Sequence, residues 1–390
     1  MLTTSFLFAL GLSLSSASPL QVPSHVDLTP RVHSSFKAHT GRESLSTSDN
    51  FWFGSFDIGR SKNLTLLVDT GSADIILNDG VYKPGHGSVN IGRDFNLTFG
   101  STNSDGSGTG TVRIPGLLIH DAKYSADSFK VTGPLINDTV KFGKFSTQQT
   151  FGVADPQEDG SNLIPADGII GFGYPSNIEI ESTFFHTLCS QHKVSECRFG
   201  LTLGRDKGTQ VLGSLDKSLF EGELTTTPIL REWIISADLA FDGKRIMTDL
   251  IVLLDSGTGT IIAPVPDVVA LFKEMHIQHF VEKSGDLTTV TGYFPCDQPP
   301  SLGLSIPSQS NITSAKVNNS KFTSHKASVF NIPSDQWIKA NNGNNNCTAI
   351  ISGTNAVPDG LWVVGQPFFH DIYIDHNVAD QTVGFAKARV

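Results

Sequence analysis

The chain carries one short pattern twice. Leu66-Leu67-Val68-Asp69-Thr70-Gly71-Ser72 runs on into ADIIL, and Val252-Leu253-Leu254-Asp255-Ser256-Gly257-Thr258 runs on into GTIIAP. Asp69 and Asp255 stand 186 positions apart, close to half of the 390 residues. Each copy drives an apolar strand into an aspartate, turns at a glycine, supplies hydroxyl side chains and resumes an apolar strand. A lone Asp-Thr-Gly is ordinarily a turn, because Asp and Gly are good turn formers. Two copies half a chain apart, both flanked by buried-looking strands, are much harder to explain in that way. Two carboxyls brought into one site cannot both ionise comfortably, so they share a proton and titrate at separated values. One can then act as base toward a water while the other polarises a carbonyl. Gly71 and Gly257 permit a tight turn with backbone amides close to the carboxylates.

The elements that must position these residues have a strand-and-turn texture. From Asn50 onward, short alternating apolar runs such as FWFGSFDIG, LTLLVDTG, FNLTFGS, TVKFGKF and QTFGVAD are punctuated by Gly, Asn and Asp. Helical spacing is confined mainly to Glu181 to His192, with Phe184, Phe185 and Leu188, and to Asp267 to Phe280, with Val268, Phe272, Met275 and His279 on one stripe. The coarse reading is an all-β protein with a few short helices. Hydrophobic residues make up 38%, enough for a sizeable core, and the length suggests two domains or one bilobal unit. A balance of 28 Lys and Arg against 38 Asp and Glu excludes a basic protein that wraps nucleic acid.

At the N-terminus, an apolar run from Phe6 to Leu14 followed by small residues ending at Ala17 reads as a signal peptide over 1–17, although a basic leading segment is missing. The run is shorter than the roughly 20 apolar residues of a spanning helix, and the C-terminal VGFAKARV has no hydrophobic tail, so no membrane anchor is expected. Residues 18–48 are polar, mildly basic and broken by Pro19, Pro23 and Pro30, the texture of a linker or short propeptide. In a secreted chain, Asn63, Asn96, Asn137, Asn311, Asn318 and Asn346 are candidate glycosylation sites, since each opens an N-x-S/T triplet.

From about Asn50 to its end, the sequence resembles the pepsin-like aspartic proteases of secreted, eukaryotic, fungal type. The resemblance rests on both Asp-hydroxyl-Gly-hydroxyl motifs and on a later apolar-apolar-Gly element in each half. These are Asp167-Gly168-Ile169-Ile170-Gly171-Phe172-Gly173 and Trp362-Val363-Val364-Gly365-Gln366-Pro367-Phe368, joined by the closing IYIDHNVADQTVGFAKA. It implies a bilobal fold, one β-rich lobe from residue 49 to 228 and one from 229 to 390, with the substrate cleft between them. It also implies roles. Asp69 and Asp255 are the catalytic pair, Ser72 and Thr258 hydrogen-bond their outer oxygens, and Thr70 and Ser256 brace the two loops. Trp233, near the crossing between lobes, is most simply a packing residue.

The resemblance places a disulfide at Cys296 and Cys347. Cys189 and Cys197 flank SQHKVSE and suit either a small local bridge or two free buried thiols, with pairing expected for both couples in a secreted chain. The family's flap tyrosine is replaced by Phe99 in the strand Phe95-Asn96-Leu97-Thr98-Phe99-Gly100. The family's tryptophan seven residues after the first aspartate is replaced by Ile76. A surplus stretch, Thr111 to Val131, holds Tyr124 as an alternative flap residue. Gly106-Ser107-Gly108-Thr109-Gly110 is read as a hairpin tip rather than a phosphate loop. His276 and His279, at helical spacing without a third ligand, are read as ordinary histidines, and neither metal nor organic cofactor is expected. The reading implied by the resemblance is an acid-active aspartic endopeptidase, made as a precursor with Lys37 a partner for the aspartates. It would be monomeric, act on proteins or peptides, and be secreted or held in a secretory-pathway vacuole. The rival is a catalytically silent pepsin-fold protein that binds carbohydrate, peptide or another enzyme. A homodimeric retroviral-type protease is disfavoured because this chain carries both halves.

Overall fold

The alternating apolar runs pair as strands wherever a turn reverses the chain. Phe51–Ile58 and Ser61–Asp69 lie antiparallel, from Phe53 opposite Leu67 to Ile58 opposite Ser61, and turn Phe56, Ile58, Leu64 and Leu66 into the core. The computed structural model describes residues 39–48, 51–100, 113–114, 117–118, 128–156, 166–174, 183–307 and 327–389. Over these the chain is mostly strand, in one sheet of 13 strands, one of 10 and a two-stranded ribbon of 113–114 and 117–118, with three short α-helices. The all-β, bilobal architecture expected from the sequence is the one observed.

The ten-stranded sheet draws all its strands from between Ile234 and Val364. The larger sheet holds the strands of the first half, yet it also takes in the chain's last two. Ile372–Asn377 pairs antiparallel with Arg198–Leu203, and Thr382–Lys387 pairs with Thr225–Pro228. The second half therefore crosses back into the sheet of the first, and a division at residues 228 and 229 is not a division between sheets.

Two expectations meet more structure than the sequence suggested. Within the stretch 18–48, read as a linker or short propeptide, Gly41–Ser48 is a strand, with Gly41 to Leu45 against Gly208–Leu212 and Ser46 to Ser48 against Phe51–Ile58. Its backbone hydrogen bonds and the buried Leu45 hold a segment too polar to announce itself. Residues 1–38, including the expected signal peptide and Lys37, lie outside the described residues. The helical stripe read from Asp267 to Phe280 stops at Glu274. Met275 caps it, His276 turns left-handed at φ 54°, and His279 belongs to the strand Gln278–Ser284. The other expected helix is Phe184–Ser190, capped by the Thr183 hydroxyl, which accepts from the His186 N–H. Both cysteine couples are bonded, Cys189 to Cys197 and Cys296 to Cys347.

All four tryptophans, Trp52, Trp233, Trp337 and Trp362, are fully buried, and one hydrophobic cluster runs through both halves. Within it lies an ionisable residue, His376, in register with Phe199 across the shared sheet. The two rings stack at 4.5 Å, and Trp233 meets the imidazole edge-on at 4.8 Å. Neither ring nitrogen reaches a well-formed hydrogen bond, and burial pushes the imidazole down to about 3. An unfolded histidine takes a proton near 6.5, so this residue's contribution to stability is intact above that pH and is lost as the pH falls toward about 3. Asp375, next to it, titrates the other way. Burial holds its carboxyl up to about 7 despite the Arg198 guanidinium at 3.3 Å, so its contribution is intact below the ordinary carboxylate range and is lost as the pH rises toward about 7.

His376→Phe keeps the stacking partner and removes the proton acceptor. Calorimetric melting should show the variant gaining on the parent by up to ~3 kcal/mol near pH 4 relative to pH 7. An equal shift at both pH values would mean that the imidazole does not set acid stability.

Candidate active site

Each aspartate ends a strand held in the middle of its sheet. Ser61–Asp69 runs parallel to Gly168–Gly171, with Asp69 level with Gly171, and Lys244–Leu254 runs parallel to Leu361–Val364, with Leu254 level with Val364. The backbone locks continue into the loops. The Phe172 N–H donates to the Asp69 carbonyl at 2.6 Å, and the Asp255 N–H donates to the Val364 carbonyl at 3.0 Å. The two later apolar-apolar-Gly elements thus lie against the two aspartate loops, as the resemblance implied.

Both carboxylates receive the same pair of donors. Asp69 Oδ1 accepts from the Gly71 N–H at 2.8 Å and Oδ2 from Ser72 Oγ at 2.5 Å. Asp255 Oδ1 accepts from the Gly257 N–H at 2.8 Å and Oδ2 from Thr258 Oγ1 at 2.6 Å. The loops then grip each other. The Thr70 N–H donates to Ser256 Oγ at 3.0 Å, and the Ser256 N–H donates to Thr70 Oγ1 at 2.9 Å. Each hydroxyl passes its own proton across, Thr70 to the Leu254 carbonyl at 2.9 Å and Ser256 to the Val68 carbonyl at 2.7 Å.

That grip sets the two carboxyls together. A Cβ on Gly71 would lie 2.4 Å from the Asp255 carboxyl, and one on Gly257 would lie 2.4 Å from the Asp69 carboxyl. No other residue type fits where each carboxyl rests on the opposite loop. Asp69 is 5% exposed and Asp255 1%. Burial, and after it the charge of Asp69, hold the Asp255 carboxyl well above the ordinary carboxylate range, while the Thr258 hydroxyl pulls the other way. The arrangement stabilises one proton on Asp255 beside a second carboxyl, a setting for paired acid and base chemistry.

Some supporting residues carried no clear sequence signal. The Trp233 indole donates to the Phe172 carbonyl at 2.9 Å, and Gln366 Nε2 donates to the Ser256 carbonyl at 2.6 Å. Trp233 is therefore a strut behind the Asp69 loop as well as a packing residue. Beside the same loop opens a recess lined by Thr70 to Ala73, Gly173, Tyr174, Glu232 and Leu253, of which Tyr174 and Glu232 had no distinguishing pattern.

The remaining candidates are placed as follows. Phe99 lies on the strand Val89–Gly100, in register with Phe129 of Ser128–Phe142, so the surplus stretch ends in ordered strand from Ser128. Tyr124, Gly106 to Gly110, Asn311 and Asn318 lie outside the described residues, as do the side chains of Asn96 and Phe99. Asn63 and Asn346 are exposed, whereas Asn137 is half-buried and its Nδ2 donates to Thr150 Oγ1 at 3.1 Å. His279 Nδ1 is 3.1 Å from the Ile277 carbonyl, on a strand rather than on a helical face shared with His276. Among the described residues no three His, Cys, Asp or Glu side chains form a metal-ligand set, and no helix is long and apolar enough to cross a membrane.

The sequence profile of the eukaryotic aspartyl protease family matches residues 51–388. The chain is 26% identical to an aspartic protease of Phaffia rhodozyma over 93% of its own length and 82% of the relative's. It is 27% identical to secreted aspartyl protease 1 of Malassezia globosa over 86% of its length and 73% of that protein's. It is also 25% identical, over 83% and 75% of the two lengths, to a protein of the same species named "Probable inactive secreted aspartyl protease".

The interloop grip yields a graded test. Ser256→Ala deletes one hydroxyl and leaves the Thr70 N–H and the Val68 carbonyl without it, which should cost ~2–4 kcal/mol in denaturant unfolding. Ser256→Thr retains the hydroxyl, matches Thr70 in the other loop and should cost less than ~1 kcal/mol. Equal losses for the two variants would remove the hydroxyl from the account.

Proposed function

Because the chain belongs to the eukaryotic aspartyl protease family and is a peptidase of that family, we propose that it is an aspartic endopeptidase in which Asp69 and Asp255 activate water in acidic solution. The observation that carries the reading is the mutual seating of the two buried carboxyls, each with its own backbone and hydroxyl donor. Asp255, kept protonated by burial, is the acid, and Asp69 is the base. Asp69 takes a proton from a water whose oxygen bonds to the peptide carbonyl carbon, while Asp255 gives its proton to the carbonyl oxygen. Passing a proton on to the amide nitrogen breaks the C–N bond and releases a carboxylic acid and an amine. The reading with a silent site is weaker here, because both carboxyls and all four neighbouring hydroxyl and glycine donors are in place.

The wider reading follows the same chemistry. The halves 49–228 and 229–390 supply one loop each, and proteins or peptides are the substrates of a monomer. The relative named as secreted, together with the N-terminal apolar run, supports export to the outside or to a secretory vacuole, with Asn63 and Asn346 the best-exposed acceptors for glycans. The pairing of Gly41–Ser48 supports processing of a precursor on the N-terminal side of His39. Phe99 serves as the apolar flap contact, so Phe99→Ala should raise KM for peptides, and Tyr124→Phe should leave it near the parent value.

Asp69→Asn and Asp255→Asn should each abolish hydrolysis of a denatured protein with the melting profile retained, and turnover by either purified variant would sink the assignment. The pH profile of kcat/KM should fall as the pH rises through the elevated Asp255 value and the shared proton is lost. Thr258→Val removes a donor that favours the ionised form, so its alkaline limb should move to higher pH. A move to lower pH would assign the limb to another group.

A further inference from the structure

The crossing between halves bears a residue whose cost nothing among the described residues offsets. The Leu230 N–H donates to the Ile234 carbonyl at 2.7 Å and the Ile234 N–H to the Arg231 carbonyl at 2.9 Å, which folds the crossing into a tight reversal. At its turn Glu232 is left-handed, φ 49°, a conformation that costs a residue with a Cβ roughly 1 kcal/mol or more. The next residue, Trp233, is fixed by its indole bond to the Phe172 carbonyl, so the backbone of Glu232 is fixed with it. This delivers Glu232 into the recess beside Thr70, Gly71, Ser72 and Tyr174.

Two polar groups there lack partners. Among the described residues none makes a hydrogen bond or ion pair with the Glu232 side chain. Burial raises its pKa, and Arg231 opposes that only through its charge at longer range. Tyr174 lines the same recess, but its hydroxyl is closed off behind the wall and unpartnered, and burial pushes it up to about 12, so it stays neutral. Leu253 and Ala73 add apolar wall. A half-buried, unpartnered acid beside an apolar wall at the mouth of one recess matches an aliphatic stem ending in a cation that lies across that mouth.

We infer that Glu232 is a specificity residue, selecting substrates that lay a Lys or Arg side chain across the mouth of the recess beside the Asp69 loop. The inference rests on the proteolytic reading and adds to it the chemical class of peptide preferred. The incoming ammonium or guanidinium pairs with the carboxyl and favours its ionised form. A half-buried carboxyl thereby gains a partner only in the complex, which discriminates against substrates with a neutral side chain at that position.

The test is cleavage-site sequencing by mass spectrometry on a mixed peptide library, with parent, Glu232→Gln and Glu232→Lys enzymes. The parent should enrich basic residues at one fixed position near the cut. The ratio of kcat/KM for a Lys peptide over its norleucine counterpart should fall about tenfold or more in Glu232→Gln. Glu232→Lys should turn the preference toward acidic residues. The Lys and norleucine pair measured on the parent alone covers the case in which a variant fails to fold: equal kcat/KM for the two overturns the inference. A parent that cuts the library with no basic enrichment, or a folded Glu232→Gln with an unchanged profile, also overturns it while leaving proteolysis intact. A parent that cuts nothing overturns the proteolytic reading, and this inference falls with it.

Discussion

Two carboxyls in one dry space repel each other if both are charged, and each loses several kcal/mol of hydration on entering it. The fold answers in three steps. Each carboxyl receives two donors from its own loop. The loops are bound to each other by four hydrogen bonds through Thr70 and Ser256, so the carboxyls cannot relax apart. Burial then favours a proton on Asp255. Much else in the molecule serves these bonds. The parallel partners Gly168–Gly171 and Leu361–Val364, the indole of Trp233 and the amide of Gln366 all hold the loop backbones that carry the grip.

The legible part of this in the sequence was the part that repeats. Asp69 and Asp255 with their neighbouring hydroxyls could be picked out because the chemistry demands the same residue types twice, and the strand texture followed from alternating apolar residues. What escaped was set by partners distant in sequence. Gly41–Ser48 reads GRESLSTS, with a single large apolar residue, and is a strand because Gly208–Leu212 offers it a backbone edge. The stripe from Asp267 was read past Glu274 because Met275 and His279 kept the helical spacing, although the left-handed His276 ends it. Trp233 gave away its burial but not its hydrogen bond, since an indole in an apolar context reads as packing. Glu232 gave no signal, because an isolated acid in a loop is the commonest sort of surface residue.

Ionisable groups set inside the protein divide into those with matched partners and those without. Asp69 and Asp255 have full sets of donors. His376 and Asp375 sit together in the shared sheet less fully matched, His376 without a well-formed hydrogen bond and Asp375 with Arg198 at one oxygen only, one resisting a proton and the other holding one. Their opposite signs mean that the sheet joining the halves is least burdened at intermediate acidity. The conditions that keep a proton on Asp255 and those that favour the supporting sheet therefore overlap, although the two sets of residues do not touch the same chemistry.

The shared sheet also sets an order in time. Arg198–Leu203 is completed by Ile372–Asn377, and Thr225–Pro228 by Thr382–Lys387, so strands made midway through synthesis wait for the last strands to be made. Pairings across such separations form late, because the entropy of closing the intervening chain precedes any return from contact. The Asp255 loop has the same dependence on Val364 and Gln366. A ribosome that has just passed residue 255 has produced both aspartates without the strands that hold the second loop. The topology thus delays the seating of the two carboxyls until almost the whole chain has emerged, and an unfinished chain carries the two aspartates apart.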